Sequence, residues 1–275
     1  MRNIVPIVGI DYEKCNGCRL CIKECPQRFF MNESKDQVFF EDIDNTCSLC
    51  GHCIAVCPQD AIIYEDFGDE AFTFEGIENL DTIVPFDNLY KFLRAHRSIR
   101  HYKKKEVPKD TLKKVIDIMQ YAPTGSNLRY EKYVIVSDRE KLKSMSDMVI
   151  DTLLNTLGMR AQYEESFEAR KKDYEIPLFF DAPHVIFVSS MLDMQLADHN
   201  IGIIITYGRL AAQSLGLGTC WNGFINIASQ HNKKIMKLAG VRGKRMGAFI
   251  IGYPNITFKR APPRSRKPVK GLTLD

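Results

Sequence analysis

Eight of the nine cysteines in this chain fall into two copies of one pattern, C-x2-C-x2-C-x3-C-P. The first copy is Cys15, Cys18, Cys21 and Cys25 ahead of Pro26; the second, thirty-two residues on, is Cys47, Cys50, Cys53 and Cys57 ahead of Pro58. Disulfides fit this poorly, because cysteines three apart in one tight loop pair badly and no exporting signal is legible. Zinc fits poorly too, since a structural site draws its ligands as two separated pairs. Three thiolates at this spacing instead wrap a cube of iron and sulfide.

Residues 3–65, with the apolar ends Phe29-Phe30-Met31 and Ala61-Ile62-Ile63-Tyr64, resemble the bacterial two-cluster ferredoxins. In that pattern the cysteine just ahead of the proline ligates the opposite cube. Two crossed [4Fe–4S] sets are therefore expected: Cys15, Cys18, Cys21 with Cys57, and Cys47, Cys50, Cys53 with Cys25. Such cubes pass single electrons at low potential.

The 275-residue chain, 45% hydrophobic and 26% charged, has the balance of a globular protein rather than a disordered one. No apolar run is long enough for a transmembrane helix. The N-terminal run is broken by Pro6 and ended by Asp11 without a cleavage site, so a cytoplasmic protein is expected, with no membrane partner. The net charge of +4 conceals an uneven division: residues 1–65 hold six Lys/Arg against ten Asp/Glu, leaving +8 for the rest. An acidic head on a basic body points to two modules.

The expected division is a ferredoxin-like domain over 1–66, a linker over 67–87 and a second domain over 88–275. In the second domain, Leu112, Val115, Ile116, Met119 and Ala122 recur at helical spacing until Pro123. Residues 132–137, 182–190 and 246–254 read as strands, and the charged stretch 138–177 as outward-facing helix. Residues 198–218, apolar nearly all round, read as a helix buried either in a core or across a subunit interface, capped by Asp198 and closed by Gly216 and Gly218. The irregular alternation makes the fold class α+β.

One-electron clusters joined to a reducing domain need a converter, and flavin is the usual one. No G-x-G-x-x-G opens a helix after a strand, so a dinucleotide-binding fold is not supported. His96-Arg97-Ser98-Ile99-Arg100 sets two guanidinium forks and a hydroxyl where a phosphate would suit them, although alone it reads equally as a solvated charged turn. The stretch 122–127, Ala-Pro-Thr-Gly-Ser-Asn, alone is equally a plain turn. Residues 258–270 carry six Lys/Arg and no acid, but interleaved prolines and the lack of stacking aromatics speak against nucleic acid.

In this order the stretches 96–102, 122–136, 215–226 and 252–264 resemble the nitroreductase family of FMN enzymes, over about residues 88–268. The resemblance implies a ferredoxin-like domain followed by a nitroreductase-like α/β sandwich that forms a homodimer with FMN at its interface. It implies that His96, Arg97, Ser98 and Arg100 meet the phosphate and pyrimidine side, and that Asn127 faces the isoalloxazine in a pocket shaped by Pro123, Thr124 and Ser126. Cys220, Trp221, Asn222 and Gly223 would line the ring, and Arg260, with Lys259 or Arg264, would clamp the phosphate. Arg129 and Tyr130 stand where the family usually has Gln-Pro-Trp, and residues 150–180 fall in the segment that varies most. Cys220 reads first as a plain buried thiol, and Trp221 first as packing.

The implied activity is an iron–sulfur flavoprotein oxidoreductase. An external donor, reduced ferredoxin or flavodoxin or NAD(P)H, feeds the clusters, and FMN delivers hydride to a small organic acceptor of the nitroaromatic, quinone or activated-alkene class. Two alternatives stay open: NAD(P)H reducing FMN directly with the clusters as exit, or a flavin-binding electron carrier without a substrate.

Overall fold

Short strands and shorter helices build the first of two units, Met1–Ile83 joined by Ser126–Leu128. The computed structural model describes residues 7–65, 67–74, 76–77, 79–265, 267 and 271. Residues 3–6 of the ferredoxin-like stretch, residues 66, 75 and 78 around the linker, and Arg266 and residues 268–270 of the basic segment lie outside the described residues.

The elements of the first unit are β1 (Ile7–Ile10), α1 (Leu20–Glu24), β2 (Phe29–Asn32), β3 (Gln37–Phe40), α2 (His52–Val56) and β4 (Ile62–Tyr64). β1 pairs antiparallel with β4, and β2 with β3. Ile7, Ile10, Phe29, Val38, Cys53, Ala61 and Ile62 form its core, and Cys15, Cys21, Cys25 and Cys57 pack against it half-buried. A five-residue helix has no stability of its own in water, and neither α1 nor α2 has a side-chain cap.

Both helices are entered through a left-handed residue, Arg19 (φ 62°) and Gly51 (φ 71°). Two residues earlier the backbone is left-handed again, at Gly17 (φ 71°) and Leu49 (φ 57°). The two cysteine loops therefore turn at equivalent places, and glycine removes the Cβ penalty at only one of the two in each.

The second unit, Val84–Gly125 with Arg129–Asp275, is built on one antiparallel sheet. Its strands are β5 (Glu131–Val136), β6 (His184–Ser190), β7 (Gly218–Trp221) and β8 (Arg245–Gly252), in the order β5-β6-β8-β7. Around it stand α3 (Phe86–Ala95), α4 (Lys109–Gln120), α5 (Arg139–Asp151), α6 (Arg160–Asp173), α7 (Gln195–Ser214), α8 (Gly223–His231) and α9 (Lys233–Ala239).

Alternation along the two central strands divides the core. Val185, Phe187, Ala248 and Ile250 pack with α5, α6, α8 and α9; Ile186, Val188, Phe249 and Ile251 pack with α4 and α7. The sheet is thus covered on both faces, an α+β sandwich. The α4–α7 approach is close: a Cβ at Gly208 would lie 2.6 Å from Met119 Sδ.

Three local expectations are corrected. α7 starts at Gln195, with Asp198 inside its first turn, where the carboxylate accepts from Arg245 Nη1 at 3.1 Å instead of capping the helix. Along its length α7 packs Ile201, Ile204 and Ile205 into the core, and Ile203 and Tyr207 stay exposed on the single chain, where the interface alternative would cover them. The charged stretch 138–177 is not all outside, since α5 buries Leu142, Met145, Val149 and Ile150 and α6 buries Phe167. Gly218, expected to close α7, instead opens the strand Gly218–Trp221 at the sheet edge.

Candidate functional site

In the first unit a small cavity is lined by Cys15, Cys18, Cys21 and Cys57, with Ile10, Val38 and Ile62 among its apolar walls. Cys57 belongs to the second tetrad, so the first crossed set is assembled in space. Cys25 in turn stands with the other three: burial pushes the Cys53 thiol up to about 12, with Cys50, Cys47 and Cys25 adding to the rise. Burial likewise raises Cys47, and Asp42, Cys50 and Cys25 add to it. Thiolates crowded in an apolar wall are held as thiols unless a positive partner compensates them, and bound iron does so. Two sets of four soft donors around apolar walls fit an iron–sulfur cube. Among the described residues no group of His, Cys, Asp or Glu is gathered as a single metal ion would gather it.

The loops are held by nearby polar groups. Asp42 accepts the amides of Thr46 (3.0 Å) and Cys47 (2.9 Å), and its side chain is 2% exposed. Arg28 Nε lies 2.8 Å from Asp42 Oδ1, an ion pair by distance without hydrogen-bond alignment. Asn16 Oδ1 accepts the amide of Cys18 at 3.2 Å. Asn127, which clusters with this unit, donates from Nδ2 to the carbonyls of Ser48 (2.9 Å) and Leu49 (2.7 Å). That amide is engaged there, whereas Pro123 and Thr124 belong to the second unit, where Thr124 Oγ1 accepts the Arg129 amide.

In the second unit the segment 96–103 runs extended between the sheet edge and the chain after β8. Ser98 bridges Thr219 in parallel and the Ile99 amide donates to Thr219 O at 2.9 Å. The Lys103 amide donates to Tyr253 O and the Asn255 amide to His101 O. In an extended run, neighbours face opposite ways; Ile99 is buried, and Ser98 and Arg100 fall on the other side. A Cβ at Gly218 would lie 2.7 Å from Ile99 Cγ1, so that strand residue must be glycine for the segment to seat.

Cations gather along this segment. His96 Nδ1 lies 2.6 Å from Gln213 Oε1, and Gln213 Nε2 donates to Phe92 O. A carboxamide oxygen only accepts, so Nδ1 carries the proton. Burial lowers the His96 pKa, Gln213 opposes the shift, and Arg209 and Arg97 lower it further. Arg100 and Arg170 both stack on Phe180, at 5.9 and 5.0 Å. Burial, then Arg100, lowers Arg170. Among the described residues none of Arg97, Arg100, Arg170 and Arg209 forms an ion pair with an acid. Guanidinium groups without an acid partner fit an anionic ligand.

Cys220 is buried and Trp221 packs against the α4–α7 side of the core. The Asn222 side chain is spent on structure, capping α8 through Ile225 N and donating to Leu178 O at 3.0 Å. A Cβ at Gly223 would meet nothing within 4 Å. Lys259, Arg260 and Arg264 stand exposed after β8. Sequence reasoning missed Asp42, Arg28, Arg170 and Arg209, each of which is recognisable only by what the fold sets beside it.

Among the described residues no helix is long and apolar enough to cross a membrane. Residues 14–62 match the model of the 4Fe-4S dicluster domain. Over 61 residues, 22% of this chain and 98% of the relative, the sequence is 38% identical to a ferredoxin of Methanothermococcus thermolithotrophicus. An iodotyrosine deiodinase of Thermotoga neapolitana is 25% identical over 171 residues, 61% of this chain and 89% of the relative. A crystal structure of a nitroreductase with bound FMN from Desulfitobacterium hafniense superposes with a TM-score of 0.54 at 20% identity, covering 65% of this chain and 93% of the other, a likeness of fold. Residues 93–253, more than half of the chain, match the nitroreductase family model. With its sandwich fold and a dicluster domain ahead of it, the chain belongs to the nitroreductase family of oxidoreductases.

Proposed function

We propose that this protein is an FMN oxidoreductase fed through two [4Fe–4S] clusters, with an external low-potential donor and a small organic acceptor of the nitroaromatic, quinone or activated-alkene class. Cys15, Cys18, Cys21 and Cys57 hold one cube; Cys47, Cys50, Cys53 and Cys25 hold the other. Arg97, Ser98, Arg100 and His96 meet the FMN phosphate and pyrimidine side, with Pro123 and Thr124 assigned to its pocket. Cys220, Trp221, Asn222 and Gly223 line the ring, and Lys259, Arg260 and Arg264 reach the phosphate. The working form is a cytoplasmic homodimer.

The observation that carries this reading is the presence, in one chain, of two crossed thiol sets and of Arg97, Arg100, Arg170 and Arg209 without an ion pair to an acid among the described residues. When bound, the cubes supply single electrons and the flavin supplies hydride. The chain's own part is to position. The extended segment 96–103 is fixed at both ends by backbone hydrogen bonds, and guanidinium groups supply fixed positive charge in a half-buried place. No side chain is asked to act as a nucleophile.

The test is anaerobic purification with iron, sulfide and flavin analysis, followed by turnover of a nitroarene with reduced ferredoxin and with NAD(P)H. Roughly eight irons and one FMN per chain, with turnover on reduced ferredoxin, are expected. A preparation lacking flavin, or turnover on NAD(P)H that persists unchanged without the clusters, rejects this electron path.

A further inference from the structure

We propose that Arg209, which sequence motifs do not single out, is the half-buried anchor for the phosphate monoester of the flavin; the inference rests on the flavin reading above. Arg209 and Gln213 stand one turn apart on the same side of α7. Both are tied to the strip that carries Ser98. Gln213 takes His96 Nδ1 and donates to Phe92 O. Arg209 Nε donates to Thr219 Oγ1 at 3.3 Å, and Thr219 is the residue that bridges Ser98 and accepts the Ile99 amide. Thr219 thus fixes the guanidinium by its hydroxyl and the Ser98 strip by its backbone.

The bond at Nε leaves the two terminal amino groups of Arg209 without a hydrogen-bond partner among the described residues. A planar fork with two open donors matches two oxygens of a phosphate, and the Ser98 hydroxyl lies along the same strip. The neighbourhood holds no internal substitute for that anion. Burial lowers the Arg209 pKa, and the groups that oppose the shift are Cys220 and Tyr102. Burial holds Tyr102 well above its ordinary range, so it is neutral and gives Arg209 no countercharge. His96 donates from Nδ1 to Gln213, and burial lowers its pKa. Other arginines of this unit are matched by acids: Arg245 by Asp193 and Asp198, Arg139 by Glu175 and Asp181. A half-buried guanidinium left without such a partner is a cost of folding that a bound anion removes.

A phosphate contact and a merely structural role are separated by the ligand that lacks the phosphate. The full chain, purified anaerobically with its clusters and freed of flavin, is titrated with FMN and with riboflavin. Arg209→Gln is expected to weaken FMN by about 10- to 100-fold while leaving riboflavin within about twofold. Inorganic phosphate should compete with FMN on the wild type and lose that effect in the variant. An unchanged FMN affinity, or an equal loss for both flavins, overturns the inference. If the glutamine variant does not fold, Arg209→Lys decides: it keeps the charge but not the fork, so FMN alone should weaken, by several-fold. A loss shared by riboflavin, or none, is the contrary result. A wild type that binds neither flavin fails at the earlier reading, and is recognised without any variant.

Discussion

The Ala61 amide donates to Cys57 Sγ across 3.3 Å. Cys57 is thereby held against the wall that Ile10, Ala61 and Ile62 share with Cys15, Cys18 and Cys21. A hydrogen bond to sulfur steadies a thiolate and bears on the potential of the iron it binds.

Cys57→Ala removes the only thiol that the second tetrad contributes to this cavity. The expected outcome is loss of roughly half the iron with the flavin retained, read by metal analysis and electron paramagnetic resonance. Cys25→Ala should strip the opposite cube. If both variants lost the same one, the crossed assignment would have to be abandoned.

Asp42→Asn keeps an acceptor for the Thr46 and Cys47 amides but leaves Arg28 facing no charge. Removing one member of a buried ion pair is costly, though Arg28 is partly exposed and the loss is correspondingly smaller. A destabilisation of roughly 1–3 kcal/mol, with faster iron release on chelator challenge, is expected from denaturant titration of the holo form. An Asn variant as stable as wild type would show that the pair carries no net weight.

Gly218→Ala sets a methyl where Ile99 Cγ1, Cγ2 and Cβ would lie within 2.9 Å. A β-branched side chain has little rotamer freedom with which to give way. The strip 96–103 must move, so loss of about 1–3 kcal/mol together with weakened flavin retention is predicted. A melt and a flavin-release assay on the same sample check both, and retention at wild-type level would sever the strip from the flavin site.

His184 Nε2 accepts the Val107 amide at 3.3 Å and its Nδ1 lies 2.7 Å from Ser137 Oγ. Burial holds this imidazole below its ordinary range, with Glu106 opposing. The unfolded chain therefore takes the proton first on acidification. Stability from this group is whole above about pH 6.5 and drains as pH falls toward the lower folded value, at a limiting slope on the order of 1.4 kcal/mol per pH unit. Melting curves from pH 7 to 5.5 should fall more steeply for wild type than for His184→Asn; parallel curves would rule this out.

What could be read from the sequence followed the strength of local signals. The tetrads declare their ligands by spacing alone, and β6 and β8 each contain a short continuous apolar run of the kind a doubly covered strand carries. Asp198 looked like a cap because it precedes the apolar run, yet Arg245, distant in sequence, claims its carboxylate. Gly218 looked like a helix stop because it follows the apolar run, whereas the glycine is there for Ile99. Arg209 carried no local signal, since a single basic residue inside an apolar helix gains its meaning from Thr219 and Gln213.

If, as proposed, each tetrad lends its last sulfur to the other's cube, the two halves of the head are not interchangeable parts that work alone. A fragment cut anywhere between Pro26 and Cys47 would own three quarters of one donor set and one quarter of another. Such a half-length peptide completes a cube only by trading ends with a twin.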